Sequence, residues 1–439
     1  MFDAKGVHGS LSRHQLVDGY PFVLDLEKSK GAFLHDAVSG QDFLDCFTCF
    51  ASWPIGWNHP KMASEPFASE IAAVARQNPA NSDLYTVEMA RFVEAFATKV
   101  SPEGFHHHFW VAGGGLAVEN ALKTAFDWKA RKLGITEMTA NTNDIVMLHF
   151  KEAFHGRTGY TMSITNTEPV KVGLFPKFDW PRIHNPKVTF DLDGNVIGDI
   201  EASEAKAYAE IEAAIAKHGK KIAGIIIEPM QGEGGDSHFR KEFFQRLRQY
   251  ADEMDALLIY DEVQTGFYGS GKNWMWQHHG VAPDVVSFGK KTQVCGIYAG
   301  PRIDTVPDNV FAHSSRINST WGGNLVDMVR SRRFIEIIEE EGLCQNAAVR
   351  GDELIAGLRG IAKSKGGFNN VRGKGTLVAS TCESTEHRNA LVSRMADQKL
   401  IALPCGPDSI RFRMPLSVSA NEVQMILERV EAAVTTANA

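Results

Sequence analysis

Two stretches of this chain end apolar runs on groups that can do chemistry. In Ile259-Tyr-Asp-Glu-Val-Gln-Thr-Gly266 the run Ala256 to Tyr260 ends on a carboxylate, Asp261. In Pro283-Asp-Val-Val-Ser-Phe-Gly-Lys290 the run Val285 to Phe288 ends on Gly289 and Lys290. Buried strands that finish side by side would bring this acid and this amine to one edge of a sheet. An amine there can form an imine with an aldehyde, and a carboxylate can keep a pyridine nitrogen protonated. The amine must also be able to lose its proton, which burial and nearby positive charge favour. Lys291 is the rival amine. Consecutive residues at a strand end point to opposite sides, so only one of the two is expected to face the site.

Two further loops carry usable groups. Ala112-Gly-Gly-Gly-Leu-Ala-Val-Glu-Asn120 reads as a strand end, a glycine turn and a helix. Backbone N–H groups there can approach a phosphate, aided by the helix dipole. A plain strand-to-helix turn has the same signature, and neither GxGxxG nor P-loop spacing is present. In Glu152-Ala-Phe-His-Gly-Arg157, Phe154 could stack on a flat ring and Arg157 could hold a carboxylate through two hydrogen bonds. A packed aromatic and a surface arginine are the plain alternatives. Cys46-Phe-Thr-Cys49 has CxxC spacing but no partner pair, so packed thiols are expected. For His106-His107-His108, strand alternation would divide the rings between two faces. No metal is expected at either place.

Elements able to position these groups can be read from periodicity. Apolar runs suggest strands at His107–Val111, Ile145–Phe150, Ala223–Glu228, Leu257–Asp261 and Val285–Phe288, with helices at Ala117–Leu133, Ser203–His218 and Lys241–Met254. Such alternation implies an α/β fold whose mostly parallel sheet is buried on both faces. Ligands bind such sheets beyond the carboxyl ends of the strands. Gly113–Gly115, Lys151–Arg157, Glu228–Glu233, Asp261–Gln264 and Gly289–Lys290 would all gather there. Shorter strands are expected at Phe22–Leu26, Ala32–Asp36 and Asp42–Phe47. A long helix at Asn324–Glu341 leads to a smaller α/β region, with helices Ala347–Lys363, Ser384–Gln398 and Asn421–Thr436 and strands Thr376–Ser380 and Ser409–Arg413. The expected organisation is an N-terminal segment (1–60) belonging to the small domain, a large domain (61–325) and a C-terminal small domain (326–439).

The 439 residues are 44% hydrophobic, enough for a large core, and the net charge of -7 disfavours nucleic-acid binding. Six cysteines in so long a chain do not suggest a disulfide framework. The opening, Met1 to Arg13, is polar, and no apolar run approaches membrane-span length. A cytoplasmic protein that binds neither membrane nor nucleic acid is expected.

Taken in order along the chain, the motifs resemble the class III, ornithine-type aminotransferases, which are fold type I pyridoxal phosphate enzymes. The matching segments are Gly56-Trp-Asn-His-Pro60, Glu228-Pro-Met-Gln-Gly-Glu-Gly-Gly235, Asp261-Glu-Val-Gln-Thr-Gly266, Phe288-Gly-Lys-Lys291 and Ile410-Arg-Phe-Arg413. The resemblance implies pyridoxal 5'-phosphate as cofactor and Lys290 as the imine-forming residue. Asp261 would face the pyridine nitrogen, Phe154 the ring and Gln264 the phenolic oxygen. Gly114 and Gly115 would hold the phosphate where the family often has Gly-Ser, so backbone amides must replace a hydroxyl. Thr320, in Ser319-Thr-Trp-Gly-Gly323, would reach the phosphate of a neighbouring subunit, which implies a homodimer with shared active sites.

Within the family, Lys151–Arg157, Phe175–Arg182, Gly289–Gly296 and Ser315–Asn324 are most similar to the L-lysine 6-aminotransferases. That implies transfer of the lysine ε-amino group to 2-oxoglutarate, giving 2-aminoadipate 6-semialdehyde, which cyclises to piperideine-6-carboxylate, and glutamate. A 4-aminobutyrate or ornithine aminotransferase is the alternative. Arg157 would bind the distal carboxylate of both substrates, with Asn318 and Gln264 nearby. Arg411 would bind the near carboxylate of 2-oxoglutarate only. Glu233 would pair with Arg411 while lysine reacts and swing away when 2-oxoglutarate binds.

Overall fold

In the computed structural model, residues 3–435 are described. The expected helix end at Thr436 lies outside them. Among the described residues the central sheet has seven strands, in the order His107–Val111, Cys295–Ala299, Val285–Phe288, Leu257–Asp261, Ile222–Ile227, Val146–Phe150, Arg182–Ile183. Only Cys295–Ala299 runs antiparallel to its neighbours. The central strands are built from β-branched and other apolar residues buried on both faces, as a sheet covered by helices requires. Helices Gly114–Lys132, Ile200–His218 and Lys241–Glu253 supply apolar stripes that cover it.

Register brings the two chemical stretches together. Val285 lies opposite Ile259 and Ser287 opposite Asp261 in parallel strands. Lys290 therefore emerges three residues beyond the neighbour of Asp261, at the same carboxyl edge.

A second sheet is four-stranded and antiparallel, ordered Asn369–Lys374, Leu377–Thr381, Ser409–Arg413, Leu403–Cys405. It shares a core with helices Leu343–Lys365, Thr385–Asp397 and Ala420–Thr435, and Ala32, Leu44 and Cys46 pack into that same core. Leu400–Ile401 pairs with the strand Asp42–Asp45, so the N-terminal segment is tied to the C-terminal elements.

Two expectations are corrected. Phe22–Leu26 forms an isolated bridge, Leu24 to Asp36, and not a strand. The Val23 N–H donates to the Asp36 carboxylate at 2.9 Å, so a side chain takes the place of a ladder carbonyl. The three histidines do not divide by strand alternation, because His106 precedes the strand. His106 and His107 both meet Asp304, at 3.1 and 2.8 Å, while His108 pairs with Ser101.

All six cysteines are free, and no helix among the described residues is long and apolar enough to cross a membrane.

Candidate active site

Beyond the carboxyl edge lies a cavity of about 220 Å³ lined by Gly114, Gly115, Phe154, Asp261, Gln264 and Lys290, with His155, Glu228 and Glu233. The lining residues come from strand ends of the central sheet and from the loops and helix start that follow them. The helix Gly114–Lys132 starts at the cavity. Its first N–H groups have no partner within the helix, and such a helix start suits an anion. The glycine at 114 is required by packing: a Cβ there would lie 2.7 Å from Val263 Cγ1.

Asp261 is the last residue of its strand and is 4% exposed. Its Oδ2 accepts from His155 Nδ1 at 2.7 Å, and its Oδ1 accepts from the Val263 N–H at 3.0 Å and from Ser287 Oγ at 3.3 Å. These donors fix the carboxylate's plane and support its charge. Glu228 sits beside it, accepting from the backbone N–H groups of Phe154 and Gly232, both at 3.0 Å. Burial, helped by the neighbouring Asp261 charge and opposed by His155, pushes Glu228 up to about 7.

The two lysines separate, but not by the expected strand alternation: the strand ends at Phe288, and both stand in the short helical turn Lys290–Thr292, with Lys290 at a φ of 54°. Lys290 lines the cavity, and its Nζ has no hydrogen-bond or ion-pair partner among the described residues. Lys291 points the other way, buried, with Nζ donating to the Gln264 carbonyl at 2.5 Å and its Cε packed where a Cβ on Gly269 would sit. Burial first, then the charge of Arg411, lowers Lys290 from 10.5 to about 8. For a cation whose folded pKa is depressed, the neutral amine appears as pH rises through that lower value. Acylation of Lys290 in cofactor-free protein by a small amine-reactive reagent should therefore be half-maximal near pH 8, read by peptide mass spectrometry. An inflection above about pH 10, as for a free lysine, would contradict the lowered value.

Gln264 Oε1 accepts from Arg411 Nη1 at 3.3 Å and from Arg413 Nη2 at 2.8 Å. Arg413 is buried against Asp236, with contacts of 2.7 and 2.5 Å. Glu233 stands between this cavity and a second one of about 480 Å³ that also reaches Arg411, Phe50 and Tyr20. Its Oε2 accepts from Arg411 Nη2 at 2.7 Å and its Oε1 from Lys171 Nζ at 2.6 Å. Burial pushes the Glu233 carboxyl up, but Arg411 and Lys171 outweigh it and hold the group down at about 2.

Arg157, Asn318 and Thr320 are not brought to the cavity within one chain; all three are exposed. His155, Glu228, Lys171 and Asp236 were not singled out in the sequence. His155 adjoins the noted Phe154, and Glu228 opens a noted motif, so position at a strand end was the available signal. Lys171 had none.

The residues fit pyridoxal phosphate on the chemistry of the donor set. An unpartnered amine, a fixed carboxylate, an aromatic ring and glycines at a helix start share one cavity. This is the site of an aminotransferase, and residues 16–434 match the family described as Aminotransferase class-III; the chain belongs to that family and is a pyridoxal phosphate-dependent enzyme. It is 48% identical to the L-lysine-epsilon aminotransferase of Mycobacterium tuberculosis over 97% of this chain and 95% of the relative. It is 47% identical to that of Amycolatopsis lactamdurans, covering 99% and 96% of the two chains. Among solved structures it is similar to the lysine aminotransferase from M. tuberculosis in the internal aldimine form, with a TM-score of 0.94, 46% identity and coverage of 99% of this chain and 100% of that one.

Proposed function

We propose that this enzyme transfers the ε-amino group of L-lysine to 2-oxoglutarate, giving 2-aminoadipate 6-semialdehyde, which cyclises to piperideine-6-carboxylate, and glutamate. The carrying observation is the Glu233–Arg411 ion pair at 2.7 Å beside Lys290. While that pair is closed, the arginine near the reacting centre is masked. A donor with a carboxylate next to its amine then finds no partner there, whereas one with a remote carboxylate loses nothing. The relatives named for lysine, covering nearly the full chain, support the same reading.

The bound cofactor supplies an electron sink that acidifies the C–H beside the reacting nitrogen. Asp261 would hold the ring nitrogen, Phe154 the ring face, Gln264 the phenolic oxygen, and Gly114 and Gly115 the phosphate. Lys290 Nζ would take the proton from the substrate carbon that bears the reacting nitrogen and deliver it on the cofactor side of that nitrogen, acting as base and then acid. Arg157, helped by Asn318, would hold the distal carboxylate of each substrate, and Arg411 the near carboxylate of 2-oxoglutarate. We place Thr320 at the phosphate of a second copy, so that the active unit is a homodimer. The exposure of Thr320, Asn318 and Arg157 in one chain agrees with that placement. A reducing, cytoplasmic setting suits the six free cysteines.

A donor screen with lysine, 4-aminobutyrate and ornithine, following cofactor absorbance, tests the proposal. Lysine should exceed the others in kcat/KM by at least about tenfold, ~1.4 kcal/mol in the transition state. Equal or better use of 4-aminobutyrate or ornithine would overturn it. In the same assay Glu233→Gln removes the charge that masks Arg411. Its preference for ω-amino over α-amino donors should fall by about 10- to 100-fold, within what loss of a buried charge partner costs. An unchanged donor profile would remove Glu233 from the scheme.

A further inference from the structure

Glu233 has two cationic partners, and the one further from the chemistry has no role in the scheme so far. Lys171 stands on the short helical turn Pro169–Val172. Its Nζ donates to Glu233 Oε1 at 2.6 Å, pairs with Glu168 at 2.6 Å and lies 5.3 Å from the centre of the Phe154 ring. The carboxylate of Glu233 is thus stretched between Arg411 on one oxygen and Lys171 on the other.

When the near carboxylate of an acceptor settles on Arg411, Glu233 must give way. Arg411 is almost fully enclosed and Glu233 is only 22% exposed at its side chain. A carboxylate displaced within such a pocket is costly unless it keeps a cation. Lys171 lets it move by surrendering one ion pair while retaining the other. The flanking Val170 and Leu174 are largely exposed, at 89% and 105%, so the turn is lightly packed on that side and can follow the movement. Resting on the reading of Glu233 given above, we propose that Lys171 is the seat to which Glu233 retires in the acceptor half-reaction. Lys171 is then a positioning residue that acts through Glu233 and sets the affinity for dicarboxylate acceptors without touching them.

A bystander positive charge would also favour a dicarboxylate, so the test must separate charge from seat. Glutarate, a dicarboxylate with no reacting carbonyl, is titrated calorimetrically into the holoenzyme. Lys171→Met is made alone and in a Glu233→Gln background. Acting through Glu233, Lys171→Met should weaken glutarate binding about tenfold alone but less than about twofold when Glu233 is already glutamine. Equal losses in both backgrounds, no loss in either, or undetectable binding to the unaltered protein would overturn the proposal. Half-reactions followed separately give the second readout. Lys171→Met should raise the 2-oxoglutarate KM about tenfold and leave the lysine half-reaction within twofold, and Lys171→Arg should restore the acceptor step. Parallel loss in both half-reactions would indicate a merely structural role and overturn it. Should lysine prove not to be the donor, the unaltered enzyme would fail its lysine half-reaction while the glutarate cycle still reads out Lys171.

Discussion

Lys290→Ala is expected to lower turnover by about 10⁴-fold, the upper end of what a positioned proton-transfer group contributes. Its removal takes away the one amine of the cavity that has no partner among the described residues: Lys290 is the lysine that lines the pocket, and Lys291 is committed to the Gln264 carbonyl. The fold should survive, because the Lys290 side chain makes no hydrogen bond among the described residues. Lys291→Ala should behave oppositely, keeping the reactive amine while leaving a gap beside Gly269 and lowering stability. Borohydride treatment of the holoenzyme followed by peptide mapping separates the two lysines. The cofactor label should sit on Lys290 in the unaltered protein and be absent from Lys290→Ala. A label on Lys291 would mean that the wrong lysine has been assigned.

Asp261→Asn is expected to reduce turnover by about 10³-fold, some 4 kcal/mol in the barrier. The amide keeps the shape of the carboxylate, and its oxygen can still accept from the Val263 N–H and Ser287 Oγ. What it lacks is the negative charge that favours a protonated ring nitrogen, and so the carbanion beside the reacting nitrogen loses its sink. The step that slows is proton removal by Lys290. Deuterium at the ε-carbon of lysine should therefore give a larger rate effect in Asp261→Asn than in the unaltered enzyme. A variant with near-normal turnover, or with a reduced isotope effect, would detach Asp261 from the ring nitrogen.

Much of this site was legible because it lies where strands end. The runs Leu257–Asp261 and Val285–Phe288 are continuous and apolar, so their pairing and their carboxyl-edge residues follow from sequence pattern. The glycine turn at residues 113–115 is likewise written in residue types that permit it. Contacts formed across long sequence separations were not legible. His155 is named by its bond to Asp261, 106 residues later, and Lys171 by its bond to Glu233, 62 residues later. Nothing in Thr48-Cys-Phe-Ala51 announces that all four residues take positive φ, from 41° to 64°, since none is glycine. That left-handed turn is strained for residues with a Cβ, and it places Phe50 in the cavity that reaches Glu233 and Arg411. The expected strand Phe22–Leu26 failed for a related reason, because the Asp36 side chain claimed a backbone donor that periodicity assigned to a ladder.

The central claim is that nitrogen leaves the far end of lysine and arrives on 2-oxoglutarate. Lysine carrying heavy nitrogen at either the ε or the α position, incubated with the holoenzyme and 2-oxoglutarate, tests it most directly. With the ε label, the glutamate formed should be labelled in full and the piperideine product unlabelled. With the α label, the glutamate should be unlabelled and the ring product should carry the mark. Labelled glutamate from α-labelled lysine, or no glutamate from either, would contradict the account.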